Sequence, residues 1–151
     1  YQRLVNLDYR HAYKETRRYA CQFATPMEAA GSGWSPKKEF TPEDYGFNAI
    51  RLTGCQSGKK VVATVAASDQ ARRQGGLRYG LVAVTAAGKA VYGKPVAHGG
   101  ASLKIPAGPL KAVYLVVMGA PAKHQRLSWD EKQPNRQYPY TVAFNKGVRP
   151  E

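Results

Sequence analysis

The feature that most constrains the fold is an alternation of apolar and polar residues with a period of two, which begins at Phe47. It is clearest in residues 47–53 and 60–67. Residues 112–118 form a continuous apolar run of the kind found in a central strand that is buried on both faces. Turns rich in Gly, Pro and polar residues separate these segments. The pattern predicts seven strands, at residues 47–53, 60–67, 77–85, 89–92, 101–105, 112–118 and 138–144.

No helical pattern alternates with these strands, so a parallel α/β fold is not expected. The spacing predicts a mainly β fold, either an antiparallel β-sandwich or a jelly roll. Residues 4–20 have helical spacing, with Arg17 and Arg18 in the last turn, so we expect one N-terminal helix. Residues 25–46 are predicted to be a long connection, held to the surface by the aromatic residues Trp34, Phe40 and Tyr45.

The chain is strongly basic, with 23 Lys and Arg, 10 Asp and Glu, and a net charge of +13. Such a surface attracts nucleic acid, anionic glycans, acidic lipid headgroups or an acidic protein. The charge could equally serve solubility or face an acidic partner domain. Four basic pairs, three of them in turns or connections, could converge: Arg17–Arg18, Lys37–Lys38, Lys59–Lys60 and Arg72–Arg73. The candidate ligand-binding residues are Arg72, Arg73, Lys123, Arg126 and Trp129.

The two cysteines, Cys21 and Cys55, give two interpretations. In an exported protein we expect them to form a disulfide, which would stabilise the fold by about 3–4 kcal/mol. In a reducing compartment they would be two buried thiols. Two cysteines cannot hold zinc unaided, and no histidine lies beside them at a zinc-finger spacing.

Catalytic motifs are absent from the sequence. His11, His98 and His124 are far apart, and there is no His-Glu-x-x-His, no Gly-x-Ser-x-Gly and no phosphate-binding loop. We therefore predict no catalytic residue and no catalytic metal ligand in this chain. The oxygen donors Asp130, Glu131 and Asn135 would suit a structural calcium ion. No apolar run reaches the roughly 18 residues of a membrane span.

Three strings of sequence resemble a known family. They are residues 5–10 (VNLDYR), residues 45–52 (YGFNAIRL), and residues 116–121 (VVMGAP) with the later WD and YPY. Together they resemble the C-terminal region of Svx-type secreted avirulence proteins of bacteria, which are metallopeptidase-like. In that family the His-Glu-x-x-His helix lies upstream of the matching region. The resemblance thus implies that zinc belongs to a missing upstream module, and that no zinc ligand carries over to this chain.

The resemblance also implies an organisation in two parts. Residues 1–45 would be the tail of the upstream module, and residues 46–151 a β-sandwich domain. Because the chain begins at Tyr1, we expect a processed product or an excised fragment, with an N-terminal fragment of the same polypeptide as its partner. We expect a secreted or periplasmic, non-catalytic accessory domain that stabilises the catalytic part and binds an anionic surface or substrate. The alternative is a free-standing binding protein for an anionic glycan or nucleic acid.

Overall fold

The computed structural model describes residues 13–17, 39–73, 76–119 and 140–151. A 3-10 helix spans Pro42–Asn48, and a short α-helix, α1, spans Asp69–Arg73. The strands are β1 (Tyr13–Arg17), β2 (Ala49–Thr53), β3 (Lys60–Ala67), β4 (Leu77–Thr85), β5 (Ala90–Tyr92), β6 (Gly100–Lys104), β7 (Leu110–Gly119), β8 (Tyr140–Phe144) and β9 (Arg149–Pro150).

These strands form two sheets whose strand pairs are all antiparallel. Sheet I has the order β1-β8-β3-β6, and sheet II has the order β5-β4-β7-β2-β9. Side chains from both sheets meet in one buried cluster between them. The predicted mainly β, antiparallel two-sheet fold is therefore confirmed.

Strand β7 is central in sheet II, with β4 on one side and β2 on the other. Its side chains Val113, Leu115 and Val117 face the core between the sheets. The alternate side chains Val116 and Met118 are buried on the outer face of the sheet. The predicted burial of this strand on both faces is confirmed.

An aromatic cluster covers that outer face of sheet II. Phe40 is stacked on Tyr45, with ring centroids 5.6 Å apart, and its ring lies 6.2 Å from Tyr92 and 5.3 Å from Tyr114. Burial raises the pKa of Tyr92 to about 12, and the neighbouring Tyr45 adds to this effect. The predicted packing of the long connection is confirmed for Phe40 and Tyr45, whereas Trp34 lies outside the described residues.

The predicted N-terminal helix is wrong over Tyr13–Arg17, which form strand β1. This strand pairs with β8, with Tyr13 opposite Phe144 and Arg17 opposite Tyr140. Tyr and Thr favour strands, and hydrogen bonds to β8 replace those that a helix would make within the segment. The other residues of 4–20 lie outside the described ranges, and the division of the chain at residue 45 stays a prediction.

Candidate functional site

The strand directions bring four described loops to one end of the sandwich. At this end β2, β4, β6 and β8 finish, and β3, β5, β7 and β9 begin. The connecting loops are residues 54–59, 86–89, 105–109 and 145–148. None of these loops contains Asp or Glu, and none contains an aromatic residue.

Hydrogen bonds join three of these loops, 54–59, 86–89 and 105–109, into one surface. Gly58 N donates to Ile105 O at 2.9 Å, and Ser57 Oγ donates to Gly108 O at 2.6 Å. Ala86 N donates to Pro109 O at 3.0 Å, which joins the loop between β4 and β5 to the loop between β6 and β7. Short turns held in this way make a blunt surface rather than a set of independent flexible loops.

Many exposed cations lie on this surface. Glu151 accepts an ion pair from Arg51, with Nε and Oε2 3.2 Å apart, and its N–H donates to Arg51 O at 2.8 Å. Among the described residues, no other cation at this end forms an ion pair. We call this surface the basic end, and its exposed cations are Arg51, Lys59, Lys60, Lys89, Lys104, Lys111, Lys146 and Arg149.

Two of these lysines are direct cross-strand neighbours. Lys60 in β3 lies opposite Lys104 in β6. Asn145 Nδ2 donates to Lys60 O at 3.1 Å, so the peptide groups of Lys60 point toward β8 and away from β6. The two lysines thus form a non-hydrogen-bonded pair, in which Cα atoms are only about 4.5 Å apart. Like charges placed in this way repel each other, and a bound anion would relieve the repulsion.

A third lysine extends this pair across sheet I. Lys146 directly follows Asn145 at the end of β8, the strand on the other side of β3. Neighbouring strands lie about 4.8 Å apart, so Lys146, Lys60 and Lys104 lie at the ends of three neighbouring strands, with Lys146 in the turn just beyond the last paired residue of β8. We call these three residues the lysine row.

Comparison with known protein families places the chain in one of them. A family model described as "Family of unknown function (DUF6055)" matches residues 1–150. The chain belongs to this family. No curated protein matches it. The DUF6055 description names no activity, so the resemblance to Svx-type proteins stays a prediction.

Of the candidate residues predicted from the sequence, the two that the structure of this DUF6055 chain describes lie away from the basic end. Arg72 and Arg73 are exposed on α1, which follows β3 at the end opposite to the basic end. The Arg72 guanidinium is engaged, because it donates to Ala67 O at 2.8 Å and pairs with Asp69. The other predicted ligand-binding residues lie outside the described ranges, so they stay predictions: Lys123, Arg126 and Trp129.

The suggested convergence of basic pairs is wrong for two of them. Lys59–Lys60 lie at the start of β3 and Arg72–Arg73 follow its end, so the length of a strand of eight residues separates the pairs. At roughly 3.3 Å per residue, this strand keeps them about 25 Å apart. Lys104 and Lys146, which do lie beside Lys60, are single lysines at strand ends. Only the order of the strands in sheet I brings these three lysines together, and the period-two pattern of the sequence does not reveal that order.

Groups that could together hold a metal ion are not found in the described part of the DUF6055 chain. His98 is exposed between β5 and β6, and residues 13–17, 39–73, 76–119 and 140–151 hold no group of three His, Cys, Asp or Glu that could bind a metal. The same ranges contain no helix that is long and apolar enough to cross a membrane. His11, His124 and the proposed calcium ligands Asp130, Glu131 and Asn135 lie outside them.

Cys55 lies at the edge of the basic end and is half-buried. Burial raises its pKa to about 11, so the sulfur is protonated at neutral pH and is a poor nucleophile. It borders an open depression of about 180 Å³, whose lining includes Arg51, Lys111 and Glu151. The predicted disulfide with Cys21 stays a prediction, because Cys21 lies outside the described residues.

The raised pKa gives a testable pH dependence. In a Cys21→Ser variant, the rate of Cys55 alkylation by iodoacetamide should keep rising toward pH 11, because the thiolate is the reactive form. The same variant unfolded in urea should reach its plateau at lower pH. Mass spectrometry measures both rates, and a plateau near the ordinary value of 9.0 in the folded variant would contradict the prediction. Wild-type chain without any free thiol would establish the Cys21–Cys55 disulfide.

Proposed function

We propose that this chain is a non-catalytic β-sandwich module that binds an anionic polymer or surface through its basic end. The observation that carries the proposal is the charge of that end. Loops and strand ends of both sheets place exposed lysines and arginines together, and among the described residues Glu151 is the carboxylate partner of Arg51. Electrostatic attraction of this kind is independent of fine fit and strongly dependent on salt.

The proposal extends to the parent protein. We propose that the module is an accessory domain of a secreted or periplasmic metallopeptidase-like protein, where it stabilises the catalytic part and holds it on an anionic substrate. The support for this is the resemblance of residues 5–10, 45–52 and 116–121 to the Svx-type proteins. Zinc would then belong to the upstream module, and the partner would be an N-terminal fragment of the same polypeptide.

The alternative is a free-standing binding protein for an anionic glycan or nucleic acid, and co-purification separates the two. An upstream fragment that stays bound to the chain through gel filtration at high salt supports the accessory domain. A chain that elutes alone at every salt concentration, yet still binds polyanions, supports the free-standing protein.

Binding through the basic end can be tested with two variants of equal charge. The first replaces Lys60, Lys89, Lys104 and Lys111 by Gln. The second is the control, which replaces four exposed cations away from the basic end by Gln: Arg72, Arg73, Arg78 and Lys94. Retention on immobilised heparin and polygalacturonate, measured against salt concentration, should fall steeply for the first variant. The apparent affinity should weaken by about tenfold or more, with a smaller salt slope, because fewer cation contacts remain.

The control should behave almost as the wild type does. Equal retention of the first variant and the wild type would contradict the proposed function. A selective loss in the control would instead place the contact at Arg72 and Arg73, in agreement with the residues predicted from the sequence. Circular dichroism spectra and the unfolding midpoint of both variants establish that the fold is intact.

A further inference from the structure

The shape of the basic end restricts what it can bind. Its four loops are short and consist mainly of Gly, Ala, Ser, Pro and Lys, and they contain no aromatic residue. Single-stranded nucleic acid is held largely by stacking of bases on aromatic side chains, which these loops lack. Protein partners are anchored largely by buried aromatic residues at the centre of the interface, and these loops contain none.

The distribution of cations distinguishes between two remaining classes of ligand, an anionic bilayer and a linear anionic polymer. Sheets that are packed face to face lie about 10 Å apart, so a planar bilayer would touch cations on both sheets, whereas a linear polymer needs a single line of them. On sheet II, Glu151 pairs with Arg51, and the other exposed cations have no carboxylate partner among the described residues, but none of them lies directly opposite another cation in the strand register. On sheet I, no carboxylate of the described residues pairs with the lysine row. The directly opposed pair of cations thus lies on sheet I, where Lys60 faces Lys104, and positive charge is concentrated across β3 and β6.

The type of cation narrows the choice further. The lysine row contains no arginine, and the bidentate recognition of phosphate and guanine in nucleic acids relies mainly on arginine. Ser102 and Thr64 are exposed on the same outer face of sheet I, since each shares its face with Lys104 or Lys60 at positions two or four residues away. Their hydroxyl groups can hydrogen-bond to sugar hydroxyls next to the charged groups.

We infer that the ligand of the basic end is a linear acidic polysaccharide, carrying carboxylate or sulfate groups, that lies across sheet I along the lysine row. The inference rests on the proposed function and adds to it the ligand class and the line of contact. The anionic groups of the polymer sit among Lys60, Lys104 and Lys146 and relieve the repulsion of the Lys60–Lys104 pair.

Two triple variants test the line of contact. The row variant replaces Lys60, Lys104 and Lys146 by Gln, and the matched variant replaces Lys89, Lys111 and Arg149 by Gln on sheet II. The probes are polygalacturonate, a heparin fragment, a DNA duplex and vesicles of phosphatidylcholine with phosphatidylserine, all at one salt concentration. For the two polysaccharides we expect the row variant to bind at least about tenfold more weakly than the wild type, and the matched variant less than about threefold.

The other outcomes each count against the inference in a defined way. Equal losses in the two variants would overturn the line of contact, while the proposed function would stand. Wild-type chain that binds the duplex more tightly than either polysaccharide would identify a nucleic-acid ligand. Tighter binding to the vesicles, with equal losses in both variants, would identify an anionic bilayer. Failure to bind any of the four probes would overturn the proposed function itself.

Discussion

Replacing Gly54 by Ala should lower the free energy of unfolding by about 2–5 kcal/mol. Gly54 has a φ of +86°, and a Cβ added to it would lie 1.8 Å from the carbonyl oxygen of Gly147. The left-handed backbone costs an L-residue about 1–2 kcal/mol. The clash adds a further cost of about 1–3 kcal/mol, because the obstacle is backbone and cannot rotate away. Equilibrium unfolding in urea measures the change.

Gly58→Ala is the matched control for this prediction. Gly58 is in the same loop with a φ of +79°, but nothing lies within 4 Å of the position of its Cβ. We expect this variant to lose only the conformational cost of about 1–2 kcal/mol. If both variants lost the same free energy, the close approach of the loops 54–59 and 145–148 would not exist in solution. Because these loops carry Lys59 and Lys146, the comparison also tests how the basic end is held together.

Much of the sheet architecture could be predicted from the sequence, because it depends on local patterns. The predicted strands at 60–67 and 77–85 coincide with β3 and β4, and the other five overlap their counterparts with small shifts at the ends. A strand with one face in the core and one face in solvent has alternating apolar and polar residues, so it can be recognised from the sequence alone. The continuous apolar run of β7 records two buried faces in the same way.

The errors in the fold arise where pairing decides the structure. Residues 13–17 read YKETR, which fits a helix or a strand, and the contact with β8 decides for the strand. Strand β9 was missed because Arg149 and Pro150 are too short a segment to show a period. The proline is tolerated there because β9 is at the edge of its sheet.

The candidate site was harder to predict than the fold. The net charge of the chain indicated a polyanion ligand, but the pairs of adjacent basic residues led to the prediction that Arg72 and Arg73 bind it. The lysine row is assembled by register, which places Lys104 opposite Lys60, and by the position of β8 beside β3. Residues 60, 104 and 146 are far apart in the chain, and no local spacing relates them.

The core of sheet II should be the least tolerant part of the described fold. Leu115 is fully buried in β7, between Ile50 of β2 and Leu81 of β4, which are its cross-strand neighbours and are buried too. Leu115→Ala removes three carbon atoms from a site between two strands. Because these strands are held in the sheet, they cannot move in to fill the cavity. We expect a loss of about 2–5 kcal/mol in the free energy of unfolding. This is a large part of the roughly 5–15 kcal/mol that stabilises a typical domain.

Two further variants separate the cavity from the general effect of a shorter side chain. Leu110→Ala changes the same residue type at the start of β7, where the side chain is only partly buried, so its loss should be clearly smaller. Leu115→Met keeps the volume of the side chain and should cost less than about 1.5 kcal/mol. Urea unfolding of the three proteins gives the ranking. Equal losses at positions 110 and 115 would mean that the two sheets do not pack on each other as described, because only a closed sandwich makes the two leucines differ.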